Sequence, residues 1–132
     1  MSLTPLTDQP CPEGSLAIQT LAMPAHTNPY GDIFAGWVVS QMDLAASIAA
    51  TGVAKGRVAT VAINNMLFLT PVHIGAIVSC YTQVTRIGCS SVSITVQVWI
   101  NQKQNFEPVK VTEGQFVFVA IDDNGRTRPI EK

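Results

Sequence analysis

Residues 36–55 read GWVVSQMDLAASIAATGVAK, and Asp43 is the one formally charged side chain between Gly36 and Lys55. Its neighbours Trp37, Val38, Val39, Met42, Leu44, Ala45, Ala46 and Ile48 are all apolar. Such a run predicts a helix that is hydrophobic nearly all round, and a helix of that kind is buried on most sides. An ionised carboxylate is costly to bury unless it is paired, hydrogen-bonded or functional. Asp43 is therefore where chemistry is sought first. The run approaches membrane-spanning length, but Ser40, Gln41, Asp43, Ser47 and Thr51 interrupt it, so a buried helix of a soluble fold is the better reading.

Ahead of the helix, residues 15–23 (SLAIQTLAM) alternate in part and predict a first strand ending at Pro24. Residues 25–36 (AHTNPYGDIFAG) carry the punctuation of a compact loop. Behind the helix, residues 58–69, 76–87, 90–100 and 110–121 are rich in Val, Ile, Thr and aromatics, and predict four strands. Short links between successive strands argue for an antiparallel meander in place of βαβ crossovers. The expected fold class is α+β, an antiparallel sheet wrapped around one long central helix. Residues 1–14 read as a flexible N-terminal arm, 15–128 as the single domain, and 129–132 as a C-terminal tail.

A chain of 132 residues fits one domain. Apolar residues make up 47% and charged ones 13%, where about a quarter is usual. So few charges poorly cover a monomer, which points to a surface partly given over to subunit contacts. A net charge of −1 offers no field for nucleic acid or an anionic membrane. Cys11, Cys80 and Cys89 are odd in number and show no CxxC spacing, so neither a disulfide framework nor a zinc signature is expected. The first 14 residues lack a basic segment followed by an apolar one, which reads as a cytoplasmic protein.

Three features converge over residues 26–43. Asn28 sits in a proline-containing loop that can aim its amide. The helix start at Ala35-Gly36 offers unpaired N–H groups and the positive end of the dipole. Asp43 lies about two turns further on. Together they could polarise a carbonyl and activate water, or attack directly. Each also has a plain structural reading: Asp43 as a satisfied carboxylate, Asn28 as a turn residue, Gly36 as room for close helix–sheet packing. Asp32 reads as a helix cap. His26 shares the loop and could bind a ligand or move protons, whereas His73 reads as a surface residue. No metal-binding spacing occurs, and Cys80 and Cys89 read as small strand residues.

The segments LAMPAHTNPYGDIFAGWVVSQMD (21–43), GRVATVAINNMLFLTPVHIGAIVSCY (56–81) and SSVSITVQVWI (90–100) resemble the hotdog-fold acyl-CoA thioesterases of the YciA type. The likeness runs from about Gln19 to Arg128, and TNxxGDIFxG with WxxSQMD carries it. The resemblance implies a sheet wrapped around a central helix, paired into dimers with a continuous sheet and assembled as hexamers, trimers of dimers. It puts the catalytic carboxylate on Asp43 and the active-site asparagine on Asn28, contributed from opposite protomers. The Gly36 N–H would polarise the thioester carbonyl. Ala35 departs from the Gly-Gly usual at the helix start. The implied reaction is hydrolysis of acyl-CoA to a carboxylic acid and CoA, with Asp43 as general base or nucleophile.

CoA would enter as part of the substrate, and no cofactor or metal is implied. Arg57 and Arg86, with Gly88, Ser90 and Ser91, are the local candidates for its phosphates. Met42, Met66 and Phe68 are positioned to close an acyl tunnel. Two other functions fit the same fold: a non-catalytic acyl-CoA binding or sensing protein, and a dehydratase or hydratase that would pair Asp43 with His26.

Overall fold

The structure is a computed structural model and describes residues 11–102 and 105–131. In chain order the elements are β1 (Ser15–Leu21), a short 3-10 turn (Pro24–His26), α1 (Ala35–Ala54), β2 (Val58–Phe68), β3 (Ile77–Ile87), β4 (Ser91–Asn101) and β5 (Pro108–Ala120). The helix lies where the apolar run predicts it. It stops at Lys55, which takes a left-handed conformation (φ 54°) and donates its amide to the Thr51 carbonyl. At the other end the N-cap is Phe34, which makes no side-chain cap. Asp32 is therefore not the expected cap; its backbone is tied to Asn28 instead.

Val38, Met42, Ala45, Ala46, Ala50 and Ala54 form one buried stripe along α1. Alanines in that stripe let the helix approach the sheet closely, and the inward residues of β4 (Val92, Ile94, Val96, Val98) and β5 (Phe116, Phe118) fill the space beneath. The opposite stripe departs from the expected burial on most sides. Leu44 is 53% exposed and Ile48 55% exposed, because one chain's sheet covers one side of the helix.

All strand pairs are antiparallel, in the order β1-β3-β4-β5-β2. Strands β3, β4 and β5 form a meander, but β2 corrects the simple version of that expectation. It pairs with β5 at the far edge (Val58↔Ala120 to Phe68↔Thr112) and not with β3. Helix α1 carries the chain across the sheet from the β1 edge to the β2 edge. The link after β2 then returns it, held by Leu69 N–H to Val111 O, Ile33 N–H to Val72 O and Gly75 N–H to Ala22 O.

Strand β2 is interrupted by register shifts between Thr60 and Ala62 and between Asn64 and Leu67. At the second, Asn65 adopts φ 53°, a left-handed conformation that asparagine tolerates well. The bulge brings Met66 against Gly114, where a Cβ would come within 2.7 Å of Met66 Cε and 3.5 Å of Met42 Cε. Gly114 is thus the residue that admits both methionines. Near the chain ends, Glu13 N–H donates to Gln97 Oε1 at 3.1 Å, and Ile130 is buried with its N–H on Cys89 O at 2.7 Å. Residues 1–10 of the expected arm and residue 132 lie outside the described residues. No described helix is long and apolar enough to cross a membrane.

Candidate active site

The loop before α1 is built on Asn28. Its Oδ1 accepts the backbone N–H groups of Tyr30 (2.9 Å) and Asp32 (3.1 Å), its own N–H donates to Asp32 O (2.7 Å), and its carbonyl accepts from Gly31. Asx side chains stabilise turns in this way. The structural reading of Asn28 is therefore realised, and it does not exhaust the residue. With Oδ1 committed to the turn, the Nδ2 group has no partner among the described residues and is left as a fixed donor.

His26 closes the other side of the loop. Its Nδ1 accepts the Met23 N–H at 3.2 Å, and its ring stacks on Trp37 at 4.7 Å between centroids. With Nδ1 on the Met23 amide and the ring on Trp37, His26 braces the loop. His73 is half-buried, not simply on the surface, and its backbone bridges to Asp32.

Where the loop enters the helix, Trp37 and Val38 donate their amides to Phe34 O, while the Gly36 amide has no acceptor among the described residues. A helix start leaves such N–H groups unpaired and carries the positive end of the dipole. A Cβ built on Gly36 would meet nothing within 4 Å, so the chain's own packing does not demand glycine there. Space beside a free amide suits an approaching oxygen.

Asp43 follows Gly36 by seven residues, which places it on the same helix face about 10 Å along the axis. Its Oδ1 accepts the Thr60 hydroxyl at 2.8 Å, and Oδ2 has no partner among the described residues. Ser40 and Ser47, the neighbouring hydroxyls, turn back onto Trp37 O and Leu44 O. One oxygen of the carboxylate is thus held while the other is available. Thr60 was not foreseen from sequence, since a contact between a helix and a strand 17 residues later leaves no local pattern.

The expected CoA contacts fall elsewhere. Arg57 and Arg86 are both exposed. Gly88 N–H donates to Ser91 O, Ser90 O accepts from Ala120, and Arg57 O accepts from Ile121, so all five residues share one end of the sheet. That end lies beyond the C-terminus of α1, and Gly36 to Ala54 alone spans about 27 Å. Within one chain they do not meet Asn28, Gly36 and Asp43. Arg128, also unforeseen, secures this end by donating to Ala54 O and Ile121 O.

An apolar cleft of about 250 Å³ opens beside the helix start, walled by Ile33, Ala35, Val38, Phe68 and Val72 with Thr112 among its lining. Of the residues expected to close a tunnel, Phe68 lines this cleft, while Met42 and Met66 meet at Gly114 and are not part of its lining. Cys80 is buried, and burial pushes its thiol up to about 12, which leaves it unreactive. Among the described residues no group of three or more His, Cys, Asp or Glu is placed to hold a metal.

The thioesterase superfamily model matches residues 30–106. The chain is 47% identical over 126 residues to the acyl-CoA thioester hydrolase YciA of Escherichia coli K12, covering 91% of this chain and 95% of that one. It is 46% identical over 123 residues to the YciA of Salmonella typhimurium, covering 90% and 92%. Among solved structures it is similar to a hexameric broad-specificity acyl-coenzyme A thioesterase, with a TM-score of 0.89 and 44% identity over 95% of this chain and 86% of that one. The hexameric thioesterase y2039 from Yersinia pestis gives 0.88 and 44%, over 92% and 99%. The chain belongs to the thioesterase superfamily and has the hotdog fold.

Proposed function

We propose that this member of the thioesterase superfamily hydrolyses acyl-CoA thioesters to a carboxylic acid and CoA. The observation that carries the reading is Asp43, held by Thr60 through one oxygen with the other left free, beside a helix face that the chain's own sheet does not cover. The curated relatives are named acyl-CoA thioester hydrolases, which supports the same substrate class.

In this reading the Gly36 N–H donates to the thioester carbonyl oxygen, and the dipole of α1 stabilises the charge that grows there. Asp43 of the facing protomer, since the Gly36 of its own chain lies about 10 Å away along the helix, removes a proton from water as its oxygen bonds to the acyl carbon. Alternatively Asp43 attacks that carbon to form an anhydride, which water then opens. In either route the carbon–sulfur bond breaks, and the departing thiolate takes up a proton to give the CoA thiol. A thiolate leaves readily, so no dedicated acid is required.

The Asn28 Nδ2 group would orient the water or the carbonyl, supplied like the Gly36 amide from the protomer facing Asp43. Three observations support a shared site. No hydrogen bond joins Asn28 to Asp43 within the chain, and the helix face around Asp43 is open. Strand β2 is also a sheet edge whose Val61 is 56% exposed, so a second copy pairing there would cover both. Three such dimers would make the hexamer seen in the similar thioesterases. Arg57 and Arg86, with Gly88, Ser90 and Ser91, would then meet the CoA phosphates of a site completed by another subunit. Residues 15–128 would form the catalytic unit, working in the cytoplasm without a cofactor.

A dehydratase would pair Asp43 with His26, yet within the chain no hydrogen bond joins them: Asp43 is held by Thr60, and His26 Nδ1 by the Met23 N–H. A sensing protein would have no use for a braced carboxylate with one free oxygen. Thiol release from a panel of acyl-CoAs tests the reading. Wild type should turn over, and Asp43→Ala should lose about 10²- to 10⁴-fold in kcat. Full activity in the variant would overturn the role given to Asp43.

A further inference from the structure

We propose that the cleft beside the start of α1 receives the acyl chain, and that Thr112 in its lining favours chains bearing a hydroxyl or keto oxygen over plain alkyl chains of equal length. The inference rests on the reading of Gly36 and Asp43 given above and names a substrate class for that site. Ala35 lines the cleft and adjoins Gly36 in the chain, so a thioester carbonyl held by the Gly36 amide has its acyl group at the entrance. Ile33, Val38, Phe68 and Val72 make the walls apolar, as an acyl chain requires.

Thr112 breaks that apolar lining. It sits opposite Phe68 in the β2–β5 ladder, and only 2% of its surface is exposed. Its hydroxyl has no hydrogen-bond partner among the described residues, yet it is not sealed off as a buried unsatisfied atom. The cleft that Thr112 lines is where that hydroxyl finds solvent. An all-methylene chain filling the cleft would shut the hydroxyl off from solvent and leave it without a partner. A chain with an oxygen at that depth would replace the lost hydrogen bond. Stranding a buried polar group is the costlier outcome, and it discriminates by about five- to a hundredfold.

The test uses matched pairs on the intact oligomer: butyryl-CoA with 3-hydroxybutyryl-CoA, and hexanoyl-CoA with 3-hydroxyhexanoyl-CoA and 5-oxohexanoyl-CoA. Wild type should favour an oxygenated member in kcat/KM by about five- to a hundredfold in at least one pair. Thr112→Val, nearly the same shape, should erase the ratio, and Thr112→Ser should keep it. Calorimetric affinities for the same thioesters, measured on Asp43→Ala with and without Thr112→Val, should move in parallel. No preference in any pair, or a ratio untouched by Thr112→Val, would overturn the inference while leaving hydrolysis intact. Absence of turnover on every thioester would instead overturn the proposed reaction, and the binding ratio would still decide the role of Thr112.

Discussion

The two faces of α1 differ in what closes them. Val38, Met42, Ala45, Ala46 and Ala50 are buried by the chain's own sheet, and nothing in that stripe is polar. The other face carries Gly36, Ser40, Asp43 and Ser47 at helical spacing, flanked by Leu44 and Ile48, each about half exposed. Hydrophobicity on both sides of one helix has two outcomes, one stripe buried by folding and one left half exposed in the single chain. The carboxylate belongs to the second. A charge that would be expensive in the core costs little at a face that the chain's own sheet leaves uncovered.

Adjacent positions 42 and 43 offer the sharpest way to break this contrast. Asp43→Ala should lose about 10²- to 10⁴-fold in kcat with little change in melting temperature. Met42→Ala should do the opposite, costing about 2–5 kcal/mol of stability for a fully buried side chain while the folded enzyme keeps its activity. Denaturant titrations run beside thiol-release assays read both. If Met42→Ala matched Asp43→Ala in lost turnover at full stability, the division between the faces would fail.

Thr60 sharpens the open face. Replacing it with valine removes the hydroxyl that holds Asp43 Oδ1, and a hydrogen bond to a charged group contributes about 1.5–3 kcal/mol. Thr60→Val should therefore lower kcat by about 10- to 100-fold, less than Asp43→Ala, with melting nearly unchanged. An unaltered kcat would show that Asp43 needs no brace.

The smallest effect lies on the outer surface of the sheet, remote from either helix face. A hydrogen bond from Lys110, at 2.8 Å, and its charge hold the Glu113 carboxyl below the ordinary 4.5, with Gln97 assisting. A carboxyl lowered in the folded state stabilises above its unfolded value, and that stabilisation is lost as pH falls through the folded one. Glu113→Gln should flatten the acid limb of a melting-temperature profile slightly below pH 4.5 and leave the neutral value almost unchanged. An equal slope in both proteins would mean that the pair is inert.

Much of the fold was legible because its signals are local. The alternation of VSITVQVWI became β4, and the apolar run became α1 with its ends nearly where expected. The place of β2 was not legible, since no local pattern says which edge a strand joins after a helix crosses the sheet. Asp32 failed as a cap because the Asn28 turn captured its backbone first. At the site, Asn28, Gly36 and Asp43 were visible through a motif and one misplaced charge. Thr60 and Thr112 were not, because an ordinary strand threonine looks the same whether its hydroxyl meets a carboxylate, a cleft or water.

If a second copy completes the open face, Asn28 of one protomer serves Asp43 of the other. Asn28→Ala and Asp43→Ala proteins, each inactive alone, would be mixed under conditions where labelled subunits demonstrably exchange. Random pairing makes half of the dimers hybrid, each with one intact site of two, so thiol release should recover to about a quarter of wild type. No recovery despite proven exchange would contradict the shared site and return both residues to a single chain.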